Sequence, residues 1–357
     1  MNKYWSSFAK RADPYIPGEQ LNNSSIIKLN TNENPYPPAP SVIEAIQKEL
    51  GDSLRLYPSP TTDGLRNVIA KHFRLQKENI FIGNGSDEVL AFSFMAFFEP
   101  GKQILFPSIT YSFYPVYAKL FNIPYKELDL TYDLTINPPS YFHSDGGVIF
   151  PNPNAPTGIY LELDNVEAII ANNPDSIVII DEAYIDFAQE SAVPLIHKYP
   201  NLLVIQTTSK SKSLAGLRVG CAIGHPSLIE GLERIKNSFN SYTLDRLAIV
   251  GATAAWQAID YYQQTTESIK ETRKWFSATL TQLGFQVLPS QANFVFATHK
   301  EVPALYLYNQ LKADNILVRH FNKQPINNYL RITIGTAEQM EVFKNKLTKI
   351  IRETKNG

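Results

Sequence analysis

Apolar residues in this chain occur in two kinds of run, and the two kinds alternate through most of its length. Short continuous runs have the length of buried strands: 79–82, 103–106, 147–150, 176–180 and 202–206. The stretches between them have helical spacing: 63–73, 88–98, 114–120 and 163–171. Apolar strands that alternate with helices are typical of a mostly parallel sheet covered on both faces, so the pattern predicts an α/β fold.

The pattern becomes mainly helical after residue 251. The predicted elements of this region are helices over 252–262 and 268–283, a strand at 293–297, a helix over 302–313, a strand at 329–334 and a last helix. The first forty residues are rich in Asn and Pro and predict an extended arm that helps to line a site. We therefore predict a large domain over 51–251. A smaller α+β domain would combine 1–50 with 252–357.

Two helix starts carry a capping-box pattern, in which two side chains three residues apart satisfy each other's backbone N–H groups. Ser41 and Glu44 predict that one helix begins at Ser41. Thr336 and Gln339 predict the start of the last helix. Apolar residues then recur on one face of that helix: Met340, Phe343, Leu347 and Ile350.

Composition and charge exclude several classes of protein. The 33 Lys and Arg residues balance 34 Asp and Glu residues, a net charge of −1, which argues against a main role in binding nucleic acid. The single cysteine, Cys221, follows Gly220 and indicates a core position rather than a disulfide or a cysteine metal site. No run approaches the ~18 apolar residues of a membrane helix, and the polar N-terminus does not resemble a signal peptide. We expect a cytoplasmic protein with no membrane partner and no bound metal.

Candidate chemistry lies just after the predicted strands, where open parallel sheets bind their ligands. The turn 83–87 (GNGSD) leads into a helix and suits a phosphate, although such turns are equally common as plain architecture. Asp181 follows four apolar strand residues and precedes Tyr184, which favours a ligand role over an incidental surface turn. Lys210 and Lys212 lie in a serine-rich segment after the next strand. On its own, that segment would be read as a solvated basic loop.

Together these residues point to a cofactor. A lysine and an aspartate at neighbouring strand ends, beside a phosphate cradle, are what pyridoxal 5'-phosphate requires. The lysine supplies an amine for a Schiff base, the aspartate faces the pyridine nitrogen, and the cradle holds the phosphate.

Four segments resemble those of the fold type I aminotransferases, which depend on pyridoxal phosphate: 153–158 (PNAPTG), 181–184 (DEAY), 209–218 (SKSKSLAGLR) and 330–336 (LRITIGT). The resemblance covers essentially the whole chain and is closest to the histidinol-phosphate aminotransferases. It implies a large domain with a mostly parallel sheet covered by helices, a smaller α+β domain, and a homodimer with shared active sites.

The resemblance also implies a role for each cofactor-binding residue. In the family the Schiff-base lysine lies eight residues before an arginine, which selects Lys210 rather than Lys212. Asp181 would keep the pyridine nitrogen protonated and Tyr184 would donate to the ring oxygen. The remaining contacts would come from the backbone of Gly85 and Ser86 with Ser209 and Arg218 at the phosphate, Tyr111 stacked on the ring, and Tyr57 from the neighbouring subunit.

The substrate side of the site is implied in the same way. Arg331 and Arg319 resemble arginines that bind the anion of the substrate, and Tyr15 and Asn32 lie in the arm that closes over it. The chain departs from the family at one position. Many members have an Asn immediately before Pro-Thr-Gly that contacts the ring oxygen, and this chain has Ala155 there. Its neighbour Asn154 is the candidate replacement.

The implied reaction belongs to histidine biosynthesis and converts L-histidinol phosphate and 2-oxoglutarate into imidazole acetol phosphate and L-glutamate. An aminotransferase for aromatic amino acids shares every motif quoted above and is the nearest alternative. A threonine-phosphate decarboxylase is a second alternative, which would release carbon dioxide instead of forming glutamate. A regulator built on this fold would need an added DNA-binding domain, and the chain has no spare basic segment for one.

Overall fold

The computed structural model describes residues 3–14, 19 and 26–356. The helices of these residues are α1 Ser7–Arg11, α2 Pro40–Glu49, α3 Asp63–Phe73, α4 Gly85–Phe97, α5 Phe113–Phe121, α6 Leu163–Ala171, α7 Pro226–Phe239, α8 Arg246–Gln257, α9 Ile259–Gln282, α10 Ala304–Ala313 and α11 Ala337–Asn356. The strands are β1 Ile27–Lys28, β2 Ile80–Asn84, β3 Ile104–Pro107, β4 Tyr125–Leu128, β5 Val148–Pro151, β6 Val178–Asp181, β7 Leu202–Thr207, β8 Val219–Gly224, β9 Phe285–Val287, β10 Phe294–His299, β11 Ile316–Leu317, β12 Arg319–His320 and β13 Leu330–Thr333. In this part of the chain, each helix is too short or too polar to cross a bilayer.

Seven strands form the large sheet, in the order β2-β8-β7-β6-β5-β3-β4. Strand β8 runs antiparallel to both of its neighbours, and the strands from β7 to β4 are parallel to one another. This confirms the predicted α/β fold with a mostly parallel sheet. The sequence analysis missed β8, because its two glycines interrupt the apolar run directly after the lysine segment. It also missed helix α7.

Helices cover both faces of the large sheet, as the continuous apolar strands predict. Successive residues of β6 show why: Val178 and Ile180 belong to the apolar cluster on one face, whereas Ile179 belongs to the cluster on the other. Each such fully buried side chain stabilises the fold by about 1.5–3 kcal/mol. The strand ends are thereby held rigidly at the edge of the sheet.

A second layer packs beside the large sheet. Strands β12-β13-β10-β9 form an antiparallel sheet, and its apolar face joins helices α9, α10 and α11 in a separate cluster. The four residues predicted for the buried face of α11 all belong to that cluster. Its capping box is present: Thr336 N–H donates to Gln339 Oε1 (3.0 Å), and Gln339 N–H donates to Thr336 Oγ1 (3.3 Å).

Several predicted helix bounds are wrong. Helix α2 has no side-chain cap, so the capping box of Ser41 and Glu44 does not form. Pro40, whose fixed φ suits the first helical position, starts the helix one residue earlier. Helix α4 begins at Gly85 rather than at residue 88, and α8 and α9 replace the helices predicted over 252–262 and 268–283. The predicted domain boundary at residue 251 falls inside α8, and the division into two domains stays a prediction.

Candidate active site

A cavity opens where strands β2, β7, β6, β5 and β3 end at one edge of the large sheet. Its empty space, with the open mouth included, measures about 530 Å³. Seven of the residues predicted to bind the cofactor line it: Ser86, Tyr111, Asp181, Tyr184, Ser209, Lys210 and Arg218. The parallel strands therefore bring together an acid, an amine and a cation from distant parts of the sequence.

The acid of the cavity is Asp181, the last residue of β6. Only 4% of Asp181 is exposed. Tyr114 Oη donates to its Oδ2 (3.1 Å), and the backbone N–H of Ala183 donates to its Oδ1 (3.2 Å). Burial raises the pKa of Asp181 to about 6, and both hydrogen bonds oppose the rise. A carboxylate held in this way can bind a protonated ring nitrogen.

The amine of the cavity is Lys210, which follows β7. Its Nζ donates to the carbonyl of Thr31 (3.2 Å) and lies 5.8 Å from the centre of the Tyr184 ring. The side-chain amide of Asn34 donates to the carbonyls of Lys210 and Ser211, at 3.0 Å each. The extended arm therefore contacts both the backbone of the lysine loop and the amine of Lys210. Sequence reasoning assigned Asn34 only to the arm and missed this contact.

Lys212 faces a different part of the protein. Its Nζ lies 3.1 Å from Asp186 Oδ2 and 4.2 Å from the centre of the Trp256 ring, in a separate cleft behind the lysine loop. An ion-paired amine with no access to Asp181 cannot replace Lys210. Of the two candidate lysines, only Lys210 shares a cavity with the acid.

The anion cradle lies at the start of helix α4. Gly85 has φ +76°, and a Cβ atom there would lie 2.5 Å from Arg218 Nη2, so only glycine allows the guanidinium to approach. A Cβ atom at Gly220 would collide with the backbone nitrogen of Ser86. Because α4 has no side-chain cap, its first N–H groups remain for a ligand. The turn thus combines a helix N-terminus with a guanidinium, a combination that suits a phosphate.

Asp87 is a functional candidate that sequence reasoning missed, although it lies in the turn 83–87. Its carboxylate accepts hydrogen bonds from Tyr111 Oη (2.6 Å) and Arg218 Nη2 (2.8 Å). Burial, reinforced by the Asp87 charge, raises the pKa of Tyr111 well above its ordinary value. One carboxylate therefore fixes both the ring that borders the cavity and the cation that would hold an anion. Tyr114 was missed because a tyrosine in an apolar helical run predicts only core.

Two of the side chains predicted to bind the cofactor, Asn154 and Tyr57, do not line this cavity. The side-chain amide of Asn154 donates to the carbonyl of Ile109 (3.0 Å) and to Thr157 Oγ1 (3.1 Å), and Ala155 forms the cavity wall instead. Tyr57 is 79% exposed and stacks on Tyr242, with ring centres 4.7 Å apart. Tyr15 lies outside the described residues.

The arm and the smaller sheet border the cavity on its other side. Asn32 Nδ2 donates to Tyr184 Oη (2.9 Å), and the backbone N–H of Asn32 donates to Thr333 Oγ1 on β13 (3.0 Å). Arg319 and Arg331 are directly opposite each other on β12 and β13. Each guanidinium lies 5.6 Å from the centre of the Phe321 ring. Arg331 Nη2 also donates to the carbonyl of Asn30 (2.9 Å), which ties the arginine pair to the arm.

Comparisons with known proteins agree with this geometry. The family model described as aminotransferase class I and II matches residues 24–347. The chain is 62% identical over 352 residues to histidinol-phosphate aminotransferase 1 of Oceanobacillus iheyensis, covering 99% of both chains. It is 52% identical over 353 residues to a histidinol-phosphate aminotransferase of Clostridium botulinum, covering 99% of this chain and 100% of the relative.

A solved structure extends the likeness to the fold. The crystal structure of histidinol-phosphate aminotransferase from Sinorhizobium meliloti in complex with pyridoxal-5'-phosphate superimposes with a TM-score of 0.89. The superposition covers 99% of both chains at 23% sequence identity.

Proposed function

Because the chain belongs to the class I and II aminotransferase family, we propose that it transfers the amino group of L-histidinol phosphate to 2-oxoglutarate, forming imidazole acetol phosphate and L-glutamate. It is a pyridoxal-phosphate-dependent enzyme with the fold type I architecture. The observation that carries the proposal is that Lys210 and Asp181 line one cavity beside the cradle at Gly85. The names of relatives at 52–62% identity over the full chain support the substrate.

The residues of the cavity fit the cofactor. When bound, pyridoxal phosphate supplies a conjugated ring that takes up the electron pair left when the substrate loses its Cα proton. Arg218 with the first N–H groups of α4 would hold the phosphate, because the space left by Gly85 brings them together. Asp181 would keep a proton on the ring nitrogen, and Tyr184 would donate to the ring oxygen. Lys210 would hold the aldehyde carbon.

Proton transfer is the proposed second task of Lys210. Once the amino group of the substrate has displaced it from the aldehyde carbon, its free amine would accept the Cα proton of the substrate and return it to the neighbouring carbon. Asn34 holds the backbone of the lysine loop, and the aromatic face of Tyr184 lies beside the amine. The amine itself is held by a hydrogen bond to the carbonyl of Thr31 (3.2 Å). Asp181 would thus hold the proton on the ring nitrogen, and Lys210 would transfer the Cα proton of the substrate.

The opposed arginines support a substrate with a strong anion. Arg319 and Arg331 lie opposite each other on neighbouring strands, so one phosphate dianion could accept hydrogen bonds from both guanidinium groups. The γ-carboxylate of 2-oxoglutarate could use the same pair in the second half-reaction. A phosphate dianion carries more charge than the single carboxylate of an aromatic amino acid, which favours the phosphorylated substrate over the aromatic alternative.

A spectroscopic experiment tests the proposed substrate. Purified enzyme with bound cofactor is mixed with L-histidinol phosphate, and in separate samples with L-phenylalanine and L-threonine phosphate. We expect L-histidinol phosphate to convert the cofactor to its amine form at the lowest concentration, and added 2-oxoglutarate to restore the starting spectrum with one glutamate per cycle. Preferred conversion by phenylalanine would contradict the assignment. Release of carbon dioxide would indicate the decarboxylase instead.

A homodimer is the proposed assembly. Apolar side chains lie exposed around the end of α2 and the turn that follows: Leu50, Leu54, Leu56, Tyr57 and Tyr242. Arg246 holds the carbonyl of Tyr57 (3.1 Å), which keeps this turn ordered at the surface. Tyr57 does not line the cavity of its own chain. We infer that it reaches the phosphate of the neighbouring subunit, as the family resemblance implies.

Hybrid dimers test the shared site. Tyr57→Ala and Lys210→Ala are each produced alone and then co-expressed with different tags. In a hybrid, one site combines an intact Lys210 with an intact Tyr57 from the partner, so activity at limiting cofactor should exceed that of both parents. Activity no higher than the mean of the parents would refute the sharing. The cytoplasmic location stays a prediction that cell fractionation can check.

A further inference from the structure

A buried tyrosine behind the cavity contacts the catalytic acid. Tyr114, in the first turn of α5, has no exposed surface, and its hydroxyl lies 3.1 Å from Asp181 Oδ2. Edge-to-face contacts with Phe106 and Tyr111, at 6.0 and 5.8 Å between ring centres, hold its ring in place. The hydroxyl therefore approaches the carboxylate in a fixed orientation.

The surroundings of Asp181 make this hydrogen bond important. The N–H of Ala183 donates to one carboxylate oxygen of Asp181. Among the described residues, Tyr114 has the only side chain that donates to this carboxylate. The titratable groups around the carboxylate and Tyr114 are Lys210, Asp87, Tyr111 and Tyr184. Of these, Lys210 favours the ionised form and Asp87 opposes it. A carboxyl group removed from water would take up a proton unless such donors favour the charged form.

We propose that Tyr114 is a positioning residue whose hydroxyl keeps Asp181 ionised. The inference rests on the proposed function, in which Asp181 holds a proton on the ring nitrogen of the cofactor. A neutral Asp181 could not stabilise that proton, and an unprotonated ring is a weaker electron acceptor. Tyr114 would thus act on the reaction through Asp181, without touching substrate or cofactor.

The pH dependence of cofactor binding tests this role without measuring turnover. The cofactor is removed from purified enzyme, and pyridoxal phosphate is titrated back by fluorescence quenching between about pH 5 and pH 9. Binding should weaken below the pH at which Asp181 takes up a proton. A hydrogen bond to a charged group is worth about tenfold or more in an equilibrium. Tyr114→Phe should therefore move this acid midpoint upward by about one pH unit or more. Well above both midpoints, its affinity should match the wild type.

Tyr141→Phe is the matched control. Tyr141 is also buried, with 1% exposed, but its hydroxyl has no hydrogen-bond partner within the described residues. Its loss should leave the midpoint unchanged. In Tyr114→Phe the phenyl ring keeps the contacts with Phe106 and Tyr111, so the fold should survive, and thermal unfolding of both variants checks this. Asp181→Asn is the reference that should abolish the acid limb.

The outcomes separate the two hypotheses. An unmoved midpoint in Tyr114→Phe, or a weakening of equal size at every pH, would mean that Tyr114 serves packing alone and would overturn the inference. Failure of the wild-type protein to bind pyridoxal phosphate, or an acid limb that persists in Asp181→Asn, would instead overturn the proposed role of Asp181. An upward shift of the acid midpoint that occurs in Tyr114→Phe and not in Tyr141→Phe supports the proposed roles of both Tyr114 and Asp181.

Discussion

Replacing Asp181 by Asn should stabilise the cofactor-free protein at neutral pH while abolishing its function. Asp181 is buried at the end of β6, where burial raises its pKa from 3.8 to about 6. An amide has the same shape and carries no charge to desolvate. Its oxygen can accept from Ala183 N–H, and its NH₂ group can donate to the hydroxyl of Tyr114, which can accept as well as donate.

The magnitude follows from linkage between proton binding and folding. A rise of about two pH units in the pKa of a group corresponds to about 3 kcal/mol. Because the folded protein binds this proton more tightly than the unfolded chain, the stabilising contribution is fully present below about pH 4. It is lost as the pH rises through about 6. The ionised carboxylate therefore costs about 3 kcal/mol at pH 7, and Asp181→Asn should recover up to that amount.

Urea unfolding of the cofactor-free protein at about pH 4.5 and about pH 7.5 measures the effect. The free-energy difference between Asp181→Asn and wild type should grow by about 2–3 kcal/mol towards the higher pH. Asp129→Asn, at an exposed position, is the control and should not change the pH dependence. A gain of equal size at both pH values, or a loss at pH 7.5, would refute the reasoning.

Three further predictions concern the other parts of the site. Borohydride reduction followed by peptide mass mapping should find the cofactor attached to Lys210; Lys210→Ala should lose this attachment and turnover, whereas Lys212→Ala should keep the attachment. Arg331→Ala should raise KM about 10- to 100-fold for both L-histidinol phosphate and 2-oxoglutarate, because a hydrogen bond to a charged group is lost in each complex; an effect on one substrate alone would mean that the two anions bind differently. Gly85→Ala should weaken cofactor binding at least tenfold in equilibrium dialysis, because the new Cβ would displace Arg218. It should also lower the free energy of unfolding by about 1–2 kcal/mol, since the φ of +76° at this position disfavours a side chain. Unchanged affinity would mean that the cradle at Gly85 does not bind the phosphate.

Local features of the sequence determined much of the fold. The helix α3 was predicted with its observed bounds, and the capping box of Thr336 and Gln339 forms as expected. Both depend on residues within a few positions of each other. The similar pattern at Ser41 failed because Pro40 competes for the same helix start. Local signals are therefore reliable where no neighbouring residue offers an alternative.

The sequence predicted those residues of the site that belong to recognisable motifs. The lysine and arginine eight residues apart and the acid at the end of β6 were identified from the sequence and its family resemblance, and the fold brings them to one cavity. The sequence did not reveal that Ala155, not Asn154, forms the wall, because that choice depends on how the loop after β5 packs against Ile109. Without the family resemblance, the sequence also did not decide whether Lys210 or Lys212 faces Asp181, because the direction of each side chain depends on how the lysine loop packs.

Only the tertiary structure decided the partners of the catalytic groups. Tyr114 and Asp181 are 67 residues apart in the chain, and Asp87 and Arg218 are 131 apart. Strand order determines these contacts: β8 inserts between β2 and β7 and carries Gly220 against the start of α4. A continuous apolar run shows that a strand is buried, but it does not show which strands are its neighbours. Every order of the strands in the sheet would bury the same side chains, so the apolar pattern cannot distinguish between these orders.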